Sequence, residues 1–301
     1  MKTFMKTHRK ILPVVVLGTV AMMVPLAGFS GEDIDRTLEM PEGGLVQVEN
    51  LAGRIEFSSW GRSEVQIRGE AGDDVEEVEI TATSKGIQVR VRNRKDAHHI
   101  DGTDLYLRIP EAASVEADSV SADISISGNR GQSVMLNTVS GDLEIDATPQ
   151  RLELESVSGD VEFEGSVMRS STETVSGEIT LVGVAGEVSI STVSGDVSLE
   201  AGDVTRGRFE SVSGDMTLAL ALGESGRLTC DSMSGDVKLR LPESQQAEFT
   251  AQSYSGNLNT EFGSSARVSK GPGVMLRHRE GDSGAQIRLE TFSGDISIRT
   301  Q

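Results

Sequence analysis

Large rings and positive charge are what this chain has least of. Aromatic residues make up 4% of its 301 positions, with a single Trp and two Tyr. A core built on big rings is excluded, and outward aromatic platforms for stacking sugars are scarce. Lys and Arg number 28 against 47 Asp and Glu, for a formal charge of −19. A field of that sign repels phosphate backbones, which argues against any nucleic-acid partner. One cysteine, Cys230, rules out a disulfide within the chain, so cysteine usage does not report the compartment. Cys230 alternates with Leu228 and reads as a small core residue. Proline is scarce, at 7, while glycine reaches 33. Many tight corners with few kinks suit a β protein of short strands.

Long apolar runs are also missing, apart from one near the N-terminus. Lys2, Lys6, Arg9 and Lys10 precede an uncharged apolar stretch from Ile11 to Phe29. Pro25 would end a helix there, and Gly28 and Ser30 stand at −3 and −1 of a cut before Gly31. That layout predicts a secretory signal peptide over 1–30. The alternative is an uncleaved anchor, the one membrane contact the sequence offers. Either way the rest of the chain is expected outside the cytoplasm, in the periplasm or at the cell surface. No cysteine follows the run, so a lipoprotein anchor is excluded.

What the sequence does have is a repeat. Thr138-Val139-Ser140-Gly141-Asp142-Leu143-Glu144-Ile145 returns as Ser156 to Phe163, Thr174 to Leu181, Thr192 to Leu199, Ser211 to Leu218 and Ser232 to Leu239. Ser253 to Leu258 is a weaker copy, and Thr291 to Ile298 closes the series; Ser119 to Ile126 is a degenerate first copy. The repeat glycines are Gly141, Gly159, Gly177, Gly195, Gly214, Gly235, Gly256 and Gly294. The wide gap before Gly294 reads as two units, one of them eroded around Gly271–Leu276.

Apolar residues fall two and four positions after each glycine, and two before it. They share a parity, so the valine before the glycine is expected inside with the others. Upstream, at −5 and −7, the parity is opposite, which predicts a change of direction at the Ser/Thr. Units of 18–21 residues are too short for β-α-β crossovers. They predict an all-β fold: a parallel β-helix, or β-solenoid, over 117–301, each strand pairing with its copy in the next coil. An antiparallel sandwich is the alternative, but hairpin turn signals are missing. Residues 31–116 alternate as strands without the repeat and are expected to form irregular first coils and a cap. Within them Asn50 to Phe57 looks like one early copy.

The order of these features resembles a bacterial family of β-strand-repeat proteins of unknown function labelled as candidate adhesins. The match is carried by Gly53-Arg54-Ile55-Glu56-Phe57-Ser58-Ser59-Trp60 followed by Glu64-Val65-Gln66-Ile67, by apolar strands running to Pro110 and Pro242, by the Ser-Gly-Asp repeat and by the leader. Membership implies a β-solenoid outside the cytoplasm, with no catalytic residues to carry over.

Candidate chemistry is sparse. The acids after the glycines (Asp142, Asp160, Glu178, Asp196, Asp215 and Asp236, continued by Asn257 and Asp295) should form an outer ladder. They are weak candidates for calcium; the competing reading is that they accept bonds from backbone N–H groups at the corner. The stacked serines have no recurring histidine and read as structural. His98-His99 beside Asp96, Asp101 and Asp104 reads as a polar loop, and His278 in Arg277-His278-Arg279 as a local counter to acidic neighbours. No cofactor and no catalytic residue is expected. The predicted role is a non-catalytic, adhesin-like or envelope-interaction module whose partner is a protein or polysaccharide of the envelope. The alternatives are a self-assembling structural element and a calcium-dependent polysaccharide-binding or lyase module.

Overall fold

The computed structural model describes residues 33–95, 101–268, 271–282 and 284–301; the leader, Asp96, His98 and His99 lie outside them. All regular structure among the described residues is β. The first strands are β1 (Asp33–Glu39), β2 (Leu45–Trp60), β3 (Glu64–Glu70), β4 (Val75–Thr83), β5 (Gly86–Asn93) and β6 (Thr103–Pro110). The middle holds β7 (Ser114–Asn129), β8 (Ser133–Thr138), β9 (Leu143–Ala147), β10 (Arg151–Ser156), β11 (Val161–Ser176), β12 (Ile179–Ser194), β13 (Val197–Ser213) and β14 (Met216–Ser234). The last strands are β15 (Val237–Leu241), β16 (Ala247–Ser255), β17 (Leu258–Thr260), β18 (Ala266–Arg267), β19 (Val274–Glu280), β20 (Gln286–Ser293) and β21 (Ile296–Thr300).

Through the middle, each strand pairs in parallel with its copy one repeat on. Val161 faces Leu143 on one side and Ile179 on the other, and Ile179 faces Val197 in turn. Matching positions therefore stack, and a chain of identical alternation buries a continuous column of apolar side chains. Ile124, Leu143, Val161, Ile179, Val197, Met216 and Val237 are all buried in one such column. Volume is conserved across columns: Phe209 and Leu228 close over the space that a side chain at Gly207 would need. Cys230 is fully buried with Sγ 3.9 Å from Met216 Sδ, and burial pushes its thiol pKa up.

Both ends depart from this stepwise order. At the N-terminal end, β2 lies between β7 and the later strands β5 and β6, parallel to all three. Asn50 stands opposite Ser119 and Ile55 opposite Ile124, so this early stretch stacks as a repeat copy. Antiparallel strands finish that end, with β4 on β5, and β3 and β1 running outward from β6. At the C-terminal end, β20 and β21 insert between β14–β15 and β16–β17. The gap before Gly294 is therefore not two successive coils. The segment read as an eroded coil forms β19, antiparallel to β16 and paired with β18. A parallel strand needs a long return connection, whereas a short chain reversal pairs antiparallel.

The corner also differs from its expected form. The Ser/Thr three before each glycine stays inside: Thr138, Ser156, Thr174, Thr192, Ser211, Ser232, Ser253 and Thr291 are all buried. The chain turns one step later, and the valines expected inside are turned out. Val139, Val175 and Val212 are 45%, 47% and 47% exposed. At two of these corners the buried hydroxyl has work at the turn: Thr138 Oγ1 accepts the Gly141 N–H at 3.0 Å and Ser156 Oγ that of Gly159 at 2.9 Å.

Candidate functional site: the exposed corner of the solenoid

Each corner contributes the same outward sequence, apolar residue, serine, glycine, acid, and stacking turns each position into a line. The glycines make the stacking possible. A Cβ on Gly141 would lie 1.9 Å from the Ala122 carbonyl oxygen, on Gly195 2.0 Å from that of Gly177, and on Gly294 2.1 Å from that of Gly235. Gly159, Gly177, Gly214 and Gly235 repeat the contact, and Gly256 makes it with Gly294, in keeping with the inserted last coil. Any side chain would force neighbouring coils apart.

The acids form the expected ladder, held by backbone amides. Asp160 N–H donates to Asp142 Oδ1 at 3.0 Å, Glu178 N–H to Asp160 Oδ1 at 2.8 Å, and Asp236 N–H to Asp215 Oδ1 at 2.9 Å. Asp215 N–H likewise reaches Asp196 Oδ1, Asp295 N–H reaches Asp236 Oδ1, and Asn257 donates from both N–H and side-chain amide to Asp295. One oxygen of each such carboxylate thus accepts an amide from the next coil. Among the described residues, no group of three or more Asp, Glu, His or Cys is arranged to hold a metal ion.

The exposed apolar line is the feature that the sequence reading turned inward. Val120, Val139, Val157, Val175, Val193 and Val212 stand out from successive corners, followed by Met233, Phe292 and Tyr254. At about 4.8 Å per coil the line is about 40 Å long. It enlarges at its C-terminal end, where Met233 is 60% and Phe292 64% exposed. The Phe292 and Tyr254 rings stack with centroids 6.0 Å apart. There the surface dips into a groove of about 460 Å³, walled by Val193, Val212, Met233, Phe292 and Tyr254 on one side and Glu210, Asp231 and Glu290 on the other. Little in the sequence signals this, since interior columns vary as much as the corner line does, as at Val197, Met216 and Val237 or Ile190, Phe209 and Cys230.

Charge follows the groove. Arg208 pairs with Glu210, and Arg288 donates to Glu290 at 2.7 Å. Asp231 lies between those rungs. Burial raises its carboxyl pKa, and Glu290 adds to the rise. The hydroxyls of Ser211 and Ser232, both lining the groove, have no hydrogen-bond partner among the described residues. In these coils the glycine N–H groups turn instead to the next coil, Gly214 to the Ser234 carbonyl at 3.2 Å and Gly235 to that of Ser293 at 3.0 Å.

The remaining candidates lie apart from the corner line. Arg277, His278 and Arg279 sit on β19; His278 Nε2 is 2.9 Å from Glu280 Oε2 and Arg279 is 2.8 Å from Glu248. Those contacts suit neutralisation of local acids. Trp60 carries Arg62 and Arg108 over its ring.

Comparison with known proteins places this architecture. The family description Toastrack DUF4097 matches residues 46–222 and again 171–299. No curated protein matches the chain. Among solved structures, a candidate lipid-binding protein from Parabacteroides distasonis aligns over 90% of this chain and 98% of its own, at 11% identity and a TM-score of 0.49. A candidate adhesin from Bacteroides fragilis aligns over 90% and 98%, at 10% identity and a TM-score of 0.41. A candidate cell adhesion protein from Clostridium sporogenes aligns over 90% and 100%, at 10% identity and a TM-score of 0.24. With the family description covering most of its length, the chain belongs to the Toastrack DUF4097 family, a β-solenoid-like repeat family of unknown function.

Proposed function

We propose that this protein is an exported, non-catalytic interaction module that works in the periplasm or at the cell surface. In this reading it is a parallel β-helix of about 18–21-residue coils with an irregular β cap at its N-terminal end. Its partner is a protein or polysaccharide of the cell envelope. One observation carries the reading: an outward line of apolar side chains from Val120 to Tyr254, nine of the eleven large apolar residues exposed among the described ones. Contiguous exposed apolar surface costs solubility and marks contact sites. The basic, apolar leader over 1–30 supports export. The absence of a recurring histidine or convergent acid–base pair along the corner supports a role without chemistry.

Retention on isolated cell envelopes tests it. Changing Val175, Val193, Val212 and Met233 together to Ser is expected to abolish retention of the purified chain while leaving its circular dichroism intact. Unchanged retention would remove the line from the interaction.

A further inference from the structure

We propose that the wide end of this line, from Val193 to Tyr254, seats a basic segment of a partner polypeptide that carries apolar side chains between its lysines or arginines. This rests on the line being the interaction surface and names its occupant.

Shape sets the first condition. The five rungs from Val193 to Tyr254 span about 20 Å at the coil spacing, room for about six extended residues. The strands that carry the inner rungs, β13, β14 and β20, each pair on both sides within the sheet, so an incoming backbone finds no free strand edge there. Recognition must come through side chains, and Met233, Phe292 and Tyr254 offer a deformable and aromatic wall for apolar ones.

Charge sets the second. On one wall Arg208 and Arg288 offset Glu210 and Glu290, which leaves Asp231 as the net negative group. Three residues past each apolar rung runs the acid line of Asp196, Asp215, Asp236 and Asp295, where among the described residues Lys238 is the one cation paired with it, 3.5 Å from Asp215. Apolar surface between negative borders selects cationic amphipathic ligands. A second copy of this chain would bring like charges together across the same line, and acidic polymers would meet them head on. A basic segment alone gains from both the apolar floor and the acidic rims.

The test uses the purified chain with three labelled twelve-residue peptides: alternating Lys and Leu, alternating Glu and Leu, and oligolysine. Fluorescence anisotropy is expected to show binding of the Lys–Leu peptide that weakens with salt. Met233→Ser with Phe292→Ser should weaken it roughly tenfold, and Asp231→Asn with Asp236→Asn by a smaller factor that also flattens the salt dependence. Equal binding of oligolysine would overturn the proposal, because net charge would then suffice. No binding of the Lys–Leu peptide, or tighter binding of Glu–Leu, would overturn it too. A doubled mass without peptide that Phe292→Ser abolishes would assign the groove to a second copy instead. Envelope retention separates the two levels: retention lost in the serine variant without basic-peptide binding sinks the occupant and spares the surface.

Discussion

The middle of the rod and its two ends are built by different rules. In the middle, sequence neighbours are spatial neighbours, and Leu143, Val161 and Ile179 stack in chain order. At the ends a remote segment is slipped beneath an outer coil: β2 under β5 and β6, and β20–β21 under β16–β17. Each insertion carries a polar clamp to the coil outside it. Arg90 on β5 grips both oxygens of Glu49 on β2 at 2.7 and 2.6 Å. Glu261, just after β17, accepts the Thr300 N–H and hydroxyl, each at 2.8 Å, and Arg299 at 3.2 Å. The stacked-glycine fit thus runs through the middle and into the C-terminal end, and the ends add interleaving and polar clamps. An outer coil resting on an inserted one cannot peel away as a terminal coil of a simple stack would, and the antiparallel strands beyond it cover edges that would otherwise invite pairing.

Breaking the steric fit should have the largest effect. Gly195→Val places carbon 2.0 Å from a carbonyl oxygen in the adjacent coil and is expected to cost roughly 4 kcal/mol or to prevent folding. Gly43→Ala, in an open turn at φ 64°, should cost only about 1 kcal/mol. Thermal or urea unfolding of both variants checks the contrast, and similar losses at the two positions would contradict it.

Removing the inserted coil should come next. Ending the chain after Asp282 deletes β20 and β21, and the amides of β16, β17 and β19 are then expected to lose hydrogen-exchange protection. Ending it after Leu241 removes more residues yet leaves a chain-order stack, which should keep protection through β14 and β15. Equal protection of β16 in the first truncation would mean that it re-docks directly on β14.

Acid should give the mildest effect and the clearest separation of ends from middle. Hydrogen bonds from Arg90 hold the Glu49 carboxyl below its ordinary pKa, and the Thr300 amide does the same for Glu261. A folded-state pKa below the unfolded one adds stability that is complete above the unfolded value and is lost as pH falls through the folded value. Below about pH 4, exchange at Leu45–Glu49 and at Ile296–Thr300 should therefore rise ahead of the middle strands. Glu261→Gln should remove the pH dependence at the C-terminal end alone.

The repeat was legible because its requirements are local. A glycine at each corner, an acceptor one residue later and alternation on either side can be read along the chain, and the acid ladder answers to that reading with amide-held carboxylates. Val139 and its copies were misread for a physical reason. Parity predicts facing only while the strand continues, and Thr138 remains inside before the chain turns through Val139 and Ser140. A valine and a threonine are nearly the same size, so hydrophobicity alone chose the wrong one; at Thr138 and Ser156 a bond to the glycine N–H holds the hydroxyl inside. The groove was missed with it, since Phe292 and Tyr254 join Met233 in its wall only through the insertion of β20.

The sequence by itself determined the all-β class, the repeat, the places where no side chain fits and the line of acids, because each follows from the steric and hydrogen-bonding needs of one repeat. Only the tertiary structure decided which coils lie next to each other at the ends and which face of the corner meets solvent. Parallel strands with the same alternation are nearly interchangeable as partners, and the choice among them rests on the chain reversals, clamps and capping strands that form when the whole rod is assembled.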